Sequence, residues 1–233
     1  MDMPSLWLMR TDPMALWDYQ QILRPGKGLL NYQEFSISEY WLCDALHVLT
    51  SDDVPLPPDF PRLRLAMPGR AFAPDYFSHG RYDIVSQRLK EAMAQPEGVV
   101  QFFPIELVKS SPKAKAQNYQ LMRVIAQQSA MDLERTECRL EDFTNRITGV
   151  TSKVPRNISR MVLRDDLRPS SEIFRIEESS ADVLASDALA LRVLRAGCTG
   201  IEFRDPSDKQ GGKTILHIRT VDGITERRVG FLE

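Results

Sequence analysis

Apolar residues along this chain change their spacing several times, and each change predicts an element. "SLWLMR" (5–10) alternates large apolar with smaller or polar groups, as an opening strand does. "MALWDYQQIL" (14–23) is a short amphipathic run stopped by "RPGKG". "SISEYWLCDALHVL" (36–49) places Tyr40, Trp41, Ala45 and Leu49 near helical spacing, with Ser38 positioned as a cap. "TSDDVPLPPDFP" (50–61) then sets four prolines in twelve residues, which removes donors, fixes φ and predicts an extended loop. "RLRLAM" (62–67) is a strand, and "PGRAFAPDYFSHG" (68–80) an irregular connection.

From residue 84 onward a small unit is written twice. Ser86 caps a predicted helix reaching about Gln95, with Val85, Leu89 and Met93 on one face at i, i+4 and i+8. Pro96 and Gly98 end it, and "VVQFFPIELV" (99–108) is a nearly continuous apolar run, predicting a strand buried on both faces. One hundred positions later, Ser186 opens a helix with Leu189 and Val193 on its apolar face, Gly197 stops it, and "TGIEF" (199–203) forms the strand. At that offset Ile84 falls on Leu184, Ser86 on Ser186, Leu89 on Leu189, Met93 on Val193 and Phe103 on Phe203. Between the copies, "NYQLMRVIA" (118–126), "ISRMVL" (158–163) and "EIFRIEE" (172–178) read as strands. "KTILHIRTVDGITERRVGFL" (213–232) alternates around Asp222-Gly223, the mark of a β-hairpin. The fold class is therefore α+β: mixed and antiparallel sheets, two similar helix–strand units and a C-terminal β-hairpin. The chain reads as one domain, divisible into similar halves at 1–110 and 111–233.

Composition narrows the function classes. A formal charge of −2 excludes a strongly basic nucleic-acid binder and a polybasic membrane binder, leaving no nucleic-acid or membrane partner expected. "MDMPSLWLMRTDP" begins acidic and has too short an apolar stretch for a secretory signal. Cys43, Cys138 and Cys198 are odd in number and far apart, as free thiols in a reducing compartment are, so a cytoplasmic location is expected.

The search for chemistry returns little. "DKQGGKT" (208–214) ends like a phosphate-binding loop, but Ser207 stands where that motif needs glycine, and "ILHIRT" alternates as a strand rather than opening a helix. A solvated hairpin loop is the better reading. Cys43 and His47 sit at i, i+4, yet no second pair completes a zinc site, and Trp41, Leu42 and Leu46 beside them indicate core. His79 in a loop and His217 in a strand lack any nucleophile context. Trp7, Trp17 and Trp41 read as core fillers. No catalytic residue, metal site or cofactor is predicted. Asp52, Asp53 and Asp59, on the proline-stiffened loop, are the candidates for meeting a basic partner.

Three blocks carry a resemblance. "YDIVSQRLKEAM…VVQFFPIEL", "YQLMRVIAQQSAMDLERTEC", with Asp132 in the usual place, and "IFRIEESSADVLASDALALRVLRAGCTGIEF" together resemble family eleven of the immunity proteins of bacterial polymorphic-toxin systems, long catalogued as a domain of unknown function. The blocks span about residues 80 to 205. Thr136-Glu137 depart from the pattern, standing where a Ser-bearing motif is expected. What the resemblance implies is a cytosolic protein that binds a cognate toxin domain, for example a nuclease, and neutralises it by occlusion without catalysis. The alternatives are a small enzyme of unrecognised type working through carboxylates, and an adaptor or chaperone that loads a toxin.

Overall fold

A computed structural model describes residues 6–11, 64–66, 73–79, 82–108, 110–144, 149, 151–208, 214–221 and 224–231. The chain divides into two compact units, residues 1–10, 126–191 and 202–233 forming the first and residues 11–125 and 192–201 the second. The architecture is α+β, with mostly sheet.

The first unit is built on a seven-stranded sheet. Its strands are β1 (Leu6–Thr11), β8 (Gln127–Gln128), β11 (Ile173–Ile176), β12 (Ser179–Ser186), β13 (Ile201–Arg204), β14 (Thr214–Val221) and β15 (Ile224–Phe231). They lie in the order β15-β14-β13-β1-β12-β11-β8. The N-terminal strand thus sits inside the sheet, antiparallel to β12 with Leu8 opposite Leu184. That position corrects the alternation read at 5–10: Leu6, Trp7, Leu8 and Met9 are all buried, because a central strand is covered on both faces. Trp7 fills the core as expected, its indole N–H donating to Asp187 Oδ1 at 3.0 Å. Trp17 and Trp41 lie outside the described residues, as do the runs 14–23 and 36–49, Cys43 and His47. Beneath the sheet, Leu6, Leu8, Met131, Ile158, Met161, Phe174, Ile176 and Leu184 form one apolar cluster.

The C-terminal hairpin is formed as read. β14 pairs antiparallel with β15 from Thr214–Phe231 to Val221–Ile224. Thr214 begins a strand and not a helix, while the glycines and the lysine before it lie outside the described residues. A further hairpin is made by β9 (Glu137–Thr144) and β10 (Thr151–Arg160), and it corrects the "ISRMVL" strand expected over 158–163, of which only 158–160 lie in β10. Its mixed polar sequence hides it, since neither face alternates cleanly between apolar and charged.

The second unit carries a four-stranded sheet, in the order β3 (Tyr76–His79), β4 (Tyr82–Val85), β7 (Gln120–Val124) and β5 (Val100–Pro104). Beside it β2 (Arg64–Ala66) pairs in parallel with β6 (Glu106–Val108). The connection expected over 68–80 contains a strand, Tyr76–His79. His79 pairs with Tyr82 across a two-residue link at 80–81, a hairpin signal that the preceding prolines and glycines obscure. Val85 is the last residue of β4 and not part of the helix face, since the helix α1 runs from Gln87 to Met93. The run 99–108 is also corrected. β5 is an edge strand in which only Val100 and Phe103 are buried, and Ile105 separates it from β6. Pro104, which has no N–H to donate, is tolerated there for that reason. The strand buried on both faces is β7, held between β4 and β5.

The repeated unit survives folding. Ser86 Oγ accepts from the Leu89 N–H at 3.1 Å, and Ser186 Oγ from the Leu189 N–H at 3.2 Å. Each is the N-cap contact that satisfies an orphan helix donor. The second helix of the repeat is α3 (Asp187–Arg195), α2 being the short turn Pro112–Lys115. Leu89, Met93, Leu189 and Val193 are all buried. The correspondence extends to Ile84 with Leu184 and Phe103 with Phe203, also buried. Arg192 donates to the carbonyls of Ala92 and Met93 at 3.2 and 3.0 Å, placing a cation on the C-terminal end of α1.

One carboxylate organises the second unit. Asp75, fully buried, accepts from Ser86 Oγ at 2.6 Å, Arg88 Nε at 3.0 Å, the Thr199 N–H at 2.8 Å and Thr199 Oγ1 at 3.0 Å. A second Arg88 contact, from Nη2, makes the ion pair bidentate. Burial pushes the Asp75 carboxyl up, but the hydrogen bonds from Arg88, Ser86 and Thr199 outweigh it, and the group sits below its ordinary value. Gly200 is required beside it. Its φ is +81° and a Cβ would lie 2.7 Å from Pro74 Cβ, so only glycine lets this loop approach the start of β3.

Candidate functional site

The described residues of the first unit enclose an open cleft of about 540 Å³ lined by Ser129, Met131, Asp132, Leu133, Glu134, Arg135, Arg164, Asp165, Asp166 and Glu178. Its floor is two stretches of backbone laid side by side. The Asp132 N–H donates to Val162 O and the Arg164 N–H to Ala130 O, each at 2.9 Å, around a single bridge between Met131 and Leu163. Met131 is buried in the apolar cluster below. The cleft is therefore set by the core and not by its own polar side chains.

The turn 132–136 is shaped by Asp132. Its Oδ1 accepts the N–H groups of Glu134 and Arg135 at 3.0 and 3.1 Å, and its Oδ2 accepts Arg135 Nε at 2.6 Å. Aspartate does this better than most residues because its short side chain reaches its own backbone two residues on. Arg135 also reaches Asp165 Oδ1 at 3.0 Å, so one guanidinium joins the two sides of the cleft. Arg164 forks onto Asp166 at 3.1 and 3.0 Å and reaches Ser129 Oγ at 3.3 Å. Glu178, in the tight turn between β11 and β12, accepts from Ser129 Oγ at 2.5 Å and from the N–H groups of Ala130 and Met131 at 3.2 and 3.3 Å.

Thr136 accounts for the departure from the family pattern. Its buried hydroxyl accepts the Val162 N–H at 3.1 Å and donates to Val162 O at 3.4 Å. A serine hydroxyl would offer the same donor and acceptor, so threonine preserves this joint.

The electrostatics are those of fixed charge. Hydrogen bonds from the Arg135 side chain and backbone hold the Asp132 carboxyl below its usual range, and Arg164 does the same to Asp166. Hydrogen bonds donated to Asp165 and then to Asp132 raise Arg135, and those donated to Asp166 raise Arg164. All four stay ionised at neutral pH. A carboxylate depressed in this way is a poor proton acceptor near neutrality, where a general base works best with a pKa close to ambient pH. The arrangement presents charge: five carboxylates and two guanidiniums line the cleft.

Asp52, Asp53 and Asp59 lie outside the described residues. His79 and His217 are strand residues, in β3 and β14, and His79 is not in a loop as expected. The Cys198 thiol is pushed up to about 11, by burial first and the Asp75 charge second, which keeps it protonated. Among the described residues no group of three or more His, Cys, Asp or Glu is placed to hold a metal ion. Among them, too, no helix is long and apolar enough to cross a membrane. Sequence inspection picks out Asp132 but not Asp165, Asp166 or Glu178, which are separated from it by 33 to 46 positions and meet it only in three dimensions.

No curated protein matches the chain. A sequence model of the immunity protein family (Imm11) matches residues 9–208. That range contains all three blocks of the resemblance and every residue lining the cleft. With most of its length matched, this chain belongs to the Imm11 immunity protein family.

Proposed function

We propose that this protein neutralises a cognate toxin of a bacterial polymorphic-toxin system by occupying its surface, without catalysis, in the cytoplasm of the cell it protects. The observation that carries this reading is the family match across residues 9–208. The cleft supports it, because its ionisable side chains are locked in intramolecular pairs that suit presentation more than proton transfer. A preorganised charged surface lowers the ordering cost of binding. A lethal enzyme must stay blocked, which calls for about nanomolar affinity, or roughly −12 kcal/mol. Interfaces of that strength commonly bury about 800 Å² on each partner and rest on a few anchors.

The deciding experiment is co-expression with the toxic domain encoded by the neighbouring reading frame. Survival of the host together with co-purification of the two chains is the expected outcome. Co-purification with an active toxin would instead identify a loading chaperone. Loss of protection on changing one Asp, Glu or His to its isosteric amide or to alanine in a folded variant, joined by turnover of a small molecule, would identify an enzyme.

A toxin that acts in the cytosol on nucleic acid would carry a basic face, and the acidic segment around Asp52, Asp53 and Asp59 is proposed to steer it. Reversing those three charges together should slow association about tenfold at low ionic strength, and by less at physiological salt, as steering is screened. Stopped-flow mixing at two salt concentrations measures this. Equal association rates for the variant and the unaltered chain at low salt would remove the segment from the mechanism.

A further inference from the structure

The register of the β9–β10 hairpin divides its residues into two unlike faces. Cross-strand partners share a face, and alternate residues along a strand fall on the same side. On one face Thr144 lies opposite Thr151, Asp142 opposite Lys153 and Leu140 opposite Pro155. That face pairs its own polar groups. The two threonine hydroxyls are hydrogen-bonded at 2.9 Å and opposite charges face each other, while Leu140, across from the buried Pro155, leaves 45% of its surface in solvent.

The other face does not. It sets Phe143 opposite Ser152, Glu141 opposite Val154 and Arg139 opposite Arg156. Two guanidiniums directly across a ladder repel, and such a pair lowers the stability of the free hairpin. Glu141 takes Arg139 at 3.3 Å, while among the described residues Arg156 has no carboxylate partner. Phe143 leaves 47% of its surface in solvent, and the Arg139 side chain 73%. Among the described residues β9 and β10 pair only with each other, so no third strand accounts for this face. A two-stranded ribbon is marginal by itself, and adding repulsion and an exposed ring makes it worse.

A binding partner resolves the conflict. Along this face Phe143 stands two same-side positions beyond the arginine pair, with Glu141 and Val154 between them, and aromatic rings and arginines are both enriched among interface anchors. The two guanidiniums want an anionic group, and arginine forks match carboxylates two bonds at a time. At the base of the hairpin a register shift lies between Arg156 and Arg160, with Asn157 at φ +52°. Bulges of this kind re-aim a strand and recur beside functional sites. Glu137, the first residue of β9, lies two positions after Arg135 of the cleft.

We propose that the face formed by Arg139, Phe143 and Arg156 is the toxin-recognition surface, seating a segment of the toxin that carries carboxylates beside an apolar residue. This rests on the neutraliser reading above. Affinity would come from Phe143 leaving water and from a carboxylate relieving the Arg139–Arg156 repulsion.

The test uses the full chain and the toxic domain from the neighbouring reading frame, with binding followed by titration calorimetry. The Arg139→Glu/Arg156→Glu double variant should weaken binding about 100-fold and Phe143→Ala about tenfold or more, as for central anchors. Asp142→Asn/Lys153→Gln, on the opposite face, should stay within about threefold. Circular dichroism and melting temperature confirm that each variant is folded. Should the charge reversal disturb the hairpin, Arg156→Gln alone, which also removes the repulsion, should weaken binding and raise the melting temperature together.

Folded Arg139, Arg156 and Phe143 variants that bind as tightly as the unaltered chain would overturn this surface while leaving the neutraliser reading intact. An unaltered chain that neither binds nor protects would remove that reading and this surface with it. Arginine-dependent capture of a short nucleic-acid duplex, with no toxin bound, would also overturn it.

Discussion

Replacing Asp75 with alanine should destabilise the second unit by about 4 kcal/mol, among the largest effects of any single polar substitution in the described residues. The cost does not come mainly from the ion pair. Arg88 has half of its side chain in solvent and can return to water once its partner is gone. What cannot escape is the buried Ser86 hydroxyl, which would lose its acceptor inside the fold. The Thr199 N–H, on an exposed residue, loses its acceptor too but can turn to water. Leaving the buried group unpaired costs roughly 1–3 kcal/mol. Ser86 is also the cap of α1, so its hydroxyl would be misplaced at the helix start. Asp75→Asn keeps one acceptor oxygen and should cost about half as much.

The pH dependence identifies the cause. Asp75 is ionised more readily in the folded chain than in the unfolded one, where an aspartate titrates at roughly 4. Its contribution is therefore complete above that unfolded value and is lost as the pH falls through the lower, folded value. Urea denaturation from pH 7 down to pH 3 should show the gap between the native chain and Asp75→Asn narrowing below about pH 4. A gap that stays constant across that range would mean the carboxylate's charge is irrelevant and only its shape matters.

The second large effect tests the repeated unit. Leu89→Ala and Leu189→Ala should each cost about 3 kcal/mol, the range found when a fully buried leucine is cut back in a packed core. Both side chains are buried, each follows its capping serine by three residues, and each cap is made at nearly the same distance. If the two units are equivalent in packing, the two losses should agree to within about 1 kcal/mol. Melting curves of the two variants give the comparison. A cost under about 0.5 kcal/mol at either site would show a helix that rests on the sheet without being held by it.

Much of this was readable along the chain because the responsible interactions are local. Ser86 and Ser186 each stand three residues before a leucine at the head of an amphipathic run, so both helix starts are visible in the letters. Gly197 at φ +67° after α3, and Asp222-Gly223 between two alternating runs, are likewise local decisions. So is the turn made by Asp132, whose carboxylate bonds to residues two and three positions on. Family membership was legible for the same reason, through short blocks that keep their order and spacing.

What the letters could not convey was which neighbour each strand would find. The run 99–108 is apolar enough for a sheet centre and lies at an edge, while β1 looks amphipathic and is covered on both sides. Burial depends on strand order, and strand order is settled by contacts between residues far apart in the chain. The same applies to Asp75, unremarkable in "PDYFSHG" until Thr199, 124 residues away, closes on it. It applies equally to the charged cleft, assembled from the separate stretches around Asp132, Asp166 and Glu178. Local hydrogen bonding chose the turns and helix ends of this protein. Packing at long range chose its sheet centres, its buried carboxylate and the surface it offers, because charge and burial are properties of the space around a side chain and not of its place in the sequence.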